Sequence, residues 1–163
     1  MSLSVLELVE FGRFPHSRRL TAADRKIVDS ALTSLDVSEI SHRPIDELSG
    51  GQRQRAFLAM VLAQDTDYVL LDEPLSNLDM RHAVQLMKLT RRLADEQNRA
   101  VVMVVHDVNF ATAFSDMLVA MKDGQIHTAG TVHEVMRNEV LSDLYDMPIH
   151  VADVEGRPTL RYF

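Results

Sequence analysis

The chain has 163 residues, enough for one domain that buries roughly 70% of its unfolded surface, and its 46% apolar and 25% charged content is ordinary for a globular fold. A formal charge of −7 disfavours a broad basic face for nucleic acid, and the absence of cysteine excludes disulfides, thiolate metal sites and a thiol nucleophile. No apolar run approaches the length of a bilayer span and the first residues carry no signal-peptide core, so we expect a cytosolic chain that serves a membrane, if at all, as a peripheral subunit.

In chain order, Ser4 and Glu7 form a capping box for a first helix with Val5, Leu8 and Val9 on one face. That helix stops at Gly12, and Gly12-Arg13-Phe14-Pro15-His16 reads as a loop. Thr21 and Asp24 open a second helix that turns Ile27, Val28, Ala31, Leu32 and Leu35 inward. The stretch from Asp36 to Asp46 is polar, and Pro44 bars a helix there. Ser49, with Gln52 three residues later, opens a third helix from about Gly50 to Gln64.

The period then changes. Tyr68 to Leu71 is a continuous apolar run, as expected of a strand buried on both faces, and it ends in Asp72-Glu73. A long helix from about Asp79 to Gln97 follows, then a second β-branched run from Ala100 to Val105 that ends at His106-Asp107. Phe110 to Phe114 suits a short helix. Met117–Met121 and Gln125–Ala129 flank Lys122-Asp123-Gly124, a hairpin signal. Thr131 and Glu134 cap a further helix, helical pattern resumes over Asn138–Tyr145, and two short strands are expected around Glu155-Gly156-Arg157. The alternation from Tyr68 onward predicts an α/β sheet with parallel strands, preceded by a helical subdomain. The expected division is 4–64 and 65–163.

Two segments carry chemistry. At Leu48-Ser49-Gly50-Gly51-Gln52, glycines leave the first-turn N–H groups uncovered beside a serine hydroxyl and the positive end of a helix, which makes a phosphate site. Asp72 and Glu73 place two carboxylates at the carboxyl edge of a sheet, where α/β proteins hold ligands. Phosphoryl transfer to water needs a metal, a group that orients the water, and donors around the transferred phosphate. Adjacent carboxylates can divide these roles, one facing the metal and the other accepting a proton.

The combination resembles the signature helix and Walker B strand of ATP-binding-cassette (ABC) ATPases, with LSGGQ matched letter for letter. The resemblance implies a P-loop NTPase-like fold, a parallel sheet with helices on both faces behind a helical subdomain. It implies ATP and Mg²⁺ as the ligands, with Asp72 as the metal-holding aspartate and Glu73 as the catalytic glutamate. His106, after the second strand, resembles the switch histidine that contacts the γ-phosphate. Ser76-Asn77-Leu78-Asp79 resembles the D-loop, with Asn77 where the family usually has alanine, and Asp79 would lie across a dimer seam. In the family two cassettes pack head to tail, so Ser49, Gly50, Gly51 and Gln52 would touch a partner's nucleotide. No metal-ligand spacing links the other histidines.

A Walker A loop requires G-x-x-x-x-G-K-[ST]. None of the six glycines in this sequence is followed by lysine. The resemblance therefore covers only the back part of an ABC ATPase, and the chain is expected to be a portion of one, inactive by itself. Strand edges and apolar surface should be exposed, so self-association is expected. Gly12-Arg13-Phe14-Pro15-His16, Asp72 to Met80 and His106 to Ala111 resemble ATPases of the iron-siderophore import branch. The implied partners are a second ATPase subunit, transmembrane permease subunits and a substrate-binding protein, at the cytoplasmic face of the membrane. No nucleic acid and no direct membrane insertion are expected. Three other readings are open: a non-catalytic module that caps ATP in trans on a complete ATPase, an ATPase of a haem or cobalamin importer, and a soluble ABC ATPase of DNA repair or translation.

Overall fold

The computed structural model describes residues 2–14 and 19–161. They form two units, Met1–Val104 and Val105–Phe163. Of the Gly12–His16 segment, Pro15 and His16 lie outside the described residues.

The first unit opens with α1 (Val5–Phe11) and α2 (Ala22–Ser34), each begun by the capping box that its sequence spells. Ser4 Oγ accepts from the Glu7 amide, and Thr21 Oγ1 from the Asp24 amide. The polar stretch after α2 does not remain irregular throughout: it contains short 3₁₀ turns at Ser38–Ile40 and Ile45–Glu47, the second starting directly after Pro44. Proline suits that position because it has no N–H to leave unpaired and its φ is already helical. The third helix, α3 (Gly50–Ala63), buries Ala56, Leu58, Ala59 and Ala63. Its small residues let α1 come close. A methyl group on Gly12, at the end of α1, would stand 2.3 Å from the Met60 carbonyl oxygen, so only glycine fits.

Strand β1 (Tyr68–Asp72) and β2 (Ala100–Val104) pair in parallel, with Asp72 opposite Val104, and α4 (Met80–Gln97) connects them. One apolar core unites Val5, Val9, Val28, Leu32, Ala59, Val69, Leu71, Leu86 and Leu89. The expectation that β1 is buried on both faces is corrected here. Val69 and Leu71 are buried, whereas Tyr68 is 73% and Leu70 72% exposed. Successive strand residues point to opposite faces, and the helices of this unit pack against one face only. Asp72 shares the uncovered face with Tyr68 and Leu70.

In the second unit, α5 (Val108–Phe114) is followed by an antiparallel hairpin, β3 (Met117–Lys122) and β4 (Gln125–Thr131). Asp123 (φ 51°) and Gly124 (φ 75°) form its two-residue turn, the primed geometry that matches strand twist. Helices α6 (Val132–Val135) and α7 (Asn138–Tyr145) and a second hairpin, β5 (His150–Val154) and β6 (Arg157–Arg161), complete it. Met136, Leu141, Ile149 and Leu160 form its buried core. Among the described residues no helix is long and apolar enough to cross a membrane.

Candidate functional site

The first turn of α3 is built as its sequence requires. Ser49 is extended (φ −62°, ψ 160°), its Oγ accepts from the Gln52 amide at 3.3 Å, and Gln52 Oε1 accepts from the Ser49 amide at 3.0 Å. Ser49 and Gly50 are exposed, and space beside Gly50 is open for 4 Å. A ligand can therefore reach the turn without displacing a side chain.

This turn is tied to the loop that leaves β1. A Cβ on Gly51 would stand 3.1 Å from the Asn77 carbonyl oxygen, so glycine here permits contact between the helix and the loop. Gln54, one turn into α3, donates its Nε2 to the carbonyls of Pro74 (2.6 Å) and Glu73 (3.3 Å). The Glu73 carbonyl also accepts from the Ser76 amide (3.2 Å) and the Ser76 hydroxyl (3.0 Å). These donors hold a strained residue. Glu73 has φ 44°, a left-handed conformation that costs a non-glycine residue about 1–2 kcal/mol. Strain of this kind persists where surrounding bonds over-determine it, and it clusters at functional sites.

The loop ends in the cap of α4. Asp79 Oδ1 accepts from the His82 amide at 2.9 Å and lies 2.7 Å from His82 Nδ1. The backbone bond from His82, reinforced by the His82 ring, holds the Asp79 carboxyl below the usual carboxylate range. Thus Ser49, Gly50, Gly51, Gln52, Asp72, Glu73 and Asp79 all belong to the first unit, linked through α3 and the loop after β1. His106 belongs to the second unit, where it is exposed and directly precedes Asp107, the N-cap of α5.

Among the described residues no group of three or more histidine, aspartate or glutamate side chains is gathered to hold a metal. Exposed carboxylate oxygens at Asp72 and, beside it, Glu73 are hard donors of the kind Mg²⁺ takes rather than a transition-metal set. Mg²⁺ keeps several waters and takes one or two carboxylates together with phosphate oxygens.

Four contributors were not read from the sequence. Gln54 and the Asn77 carbonyl act through contacts about twenty residues apart, for which no local pattern exists. Arg13, in a segment singled out for its resemblance, braces the helices, because its guanidinium donates to Asp24 Oδ1 and to the Ala63 carbonyl, both at 2.8 Å. The Asp107 cap was within reach, because an aspartate before a helical stretch is a start signal.

A family model described as ABC transporter matches residues 3–76. The petrobactin import ATP-binding protein YclP of Bacillus subtilis (strain 168) is 47% identical over 162 residues, which cover 99% of this chain and 64% of YclP. The petrobactin import ATP-binding protein FatE of Bacillus anthracis is 52% identical over 150 residues, covering 91% of this chain and 60% of FatE. The chain thus spans less than two thirds of the length of these curated relatives. An ABC transporter solved in an inward-facing conformation superposes with a TM-score of 0.85 at 27% identity, over 99% of this chain and 67% of that one.

Proposed function

We propose that the chain is a member of the ABC transporter ATPases and supplies the signature-to-C-terminus portion of an ATP-hydrolysing subunit that energises iron-siderophore import. The observation that carries this reading is the joining of the Ser49 turn to the Glu73 loop through Gln54 and Gly51. It presents phosphate donors and an acidic strand end as one assembly. The import ATP-binding relatives named above support the transport class.

In this reading residues 4–64 act as the helical subdomain and residues 65–163 as the C-terminal part of the ATPase core. Ser49 Oγ and the uncovered amides of Gly50 and Gly51 bind the γ-phosphate of ATP held by a second cassette packed head to tail. Gln52 keeps the serine in place through the capping box. Asp72 holds Mg²⁺, which when bound neutralises phosphate charge. Glu73 orients the attacking water and accepts its proton, and His106 contacts the γ-phosphate. Asp79, fixed by His82, lines the seam between cassettes. Permease subunits and a substrate-binding protein complete the system at the cytoplasmic face of the membrane.

These 163 residues contain no Gly-Lys-Ser/Thr loop, which favours a second reading for the chain acting alone: a module that caps ATP on a complete cassette without hydrolysing it. One experiment separates the two. The chain joined to the front portion of a Bacillus relative that carries such a loop is assayed for Mg²⁺-dependent ATP hydrolysis, beside the chain alone. Hydrolysis only in the joined form, lowered at least ~100-fold by Glu73→Gln and by His106→Ala, supports the catalytic roles. Unchanged turnover in either variant removes that residue from its role.

A further inference from the structure

The turn that presents His106 leads directly into α5, and α5 is held at two points by the C-terminal hairpin. Asn109, in the first turn of α5, meets both backbone groups of Leu160 on β6. Its Oδ1 accepts from the Leu160 amide at 2.8 Å, and its Nδ2 donates to the Leu160 carbonyl at 3.4 Å. A side-chain amide is thereby used as one more strand residue, satisfying the outward-facing groups of a β-edge that is 4% exposed at Leu160. At the other end of α5, Arg157 of β6 donates to the Ala113 carbonyl at 3.2 Å, one of the helix's unpaired terminal acceptors. Asp107 Oδ1 then accepts from the amides of Asn109 (2.8 Å) and Phe110 (3.2 Å), so the cap beside His106 is bonded to the same residue that grips the hairpin.

We propose that Asn109 is a positioning residue for His106: its amide lock on Leu160, seconded by Arg157, makes the hairpin about fifty residues downstream fix where the 106–107 turn stands. This deepens the reading of His106 as the phosphate-contacting histidine and rests on it. Asn109 touches no reacting atom. It acts through α5. Removing its side chain leaves two backbone groups of Leu160 unpaired and frees the helix to shift against β6.

The test uses the isotopically labelled chain in solution. Asn109→Ala is expected to move the His106 imidazole resonances and to speed amide exchange across Asn109–Ala111 roughly tenfold. Arg157→Met, which leaves the Leu160 bonds intact, should move the same resonances in the same direction by less, and it decides the matter if Asn109→Ala fails to fold. Thr131→Ala is the control. It removes the N-cap of α6, weakening the second unit without touching the lock, and should leave His106 where it is at an equal margin below melting. His106 resonances unmoved in both lock variants, or moved equally by Thr131→Ala, would overturn the proposal. The readout is the position of His106 and not turnover. A histidine dispensable for hydrolysis therefore defeats the catalytic reading while the lock survives, and an unmoved histidine does the reverse.

Discussion

Arg13 and Asp24 form a pair whose side chains are only 8% and 7% exposed, at 2.8 Å, between α1, α2 and the end of α3. Two hydrogen bonds from Thr21, and then the Arg13 guanidinium, lower the Asp24 carboxyl from its ordinary 3.8 to about 2. A carboxylate whose pKa falls on folding stabilises the fold above its unfolded value, and that contribution drains away as pH drops toward the folded value. Melting temperature should therefore decline between about pH 4 and pH 2 more steeply in the native chain than in Asp24→Asn, as followed by circular dichroism. Glu7 and Glu134 are also lowered, chiefly by the backbone bonds of their capping boxes at Ser4 and Thr131, and add to the same acid sensitivity. The Thr21–Asp24 half of this arrangement was legible, because a capping box is a spacing of three. The Arg13 half was not, since its acceptor at Ala63 is fifty residues away.

The helix starts were the most readable elements. Ser4, Thr21, Ser49 and Thr131 each cap as their sequence indicates, because a short polar side chain that meets the third amide is a local event. The 3₁₀ turns around Pro44 were missed, since three residues carry no period. What joins α3 to the loop after β1 was equally hidden, although it decides how the site is arranged. Gln54 is the test of that joint. Gln54→Ala removes the side-chain donor to Glu73 and Pro74, and the amides of Ser76 and Leu78 should exchange roughly fivefold faster, by hydrogen exchange, with the α3 amides little changed. Equal exchange in the variant and the native chain would mean that the loop holds itself.

For the molecule as a whole, the apolar runs foretold the parallel pairing of β1 and β2 but not its one-sided cover. A run such as Tyr68-Val69-Leu70-Leu71 reads the same whether one face or both will be covered. The uncovered face presents Tyr68, Leu70, Val102 and Val104, each at least 50% exposed. Apolar surface of this kind drives association, and a net charge of −7 opposes it only weakly at physiological salt. The chain should sediment as dimers or larger species at tens of micromolar (order of magnitude), and Leu70→Lys with Val102→Lys should shift it toward monomer. A native chain that sediments as monomer throughout would show that this face is tolerated in water.

The contact between Gly51 and Asn77 has an evolutionary consequence. A methyl at position 51 would crowd the carbonyl at 77, and a loop that retreated to admit it would carry Asp79 along. Position 51 therefore cannot gain a side chain without moving the loop, whereas the contact at 77 is made by a backbone oxygen that every residue carries. Among descendants of this chain, glycine should persist at 51 whatever side chain stands at 77.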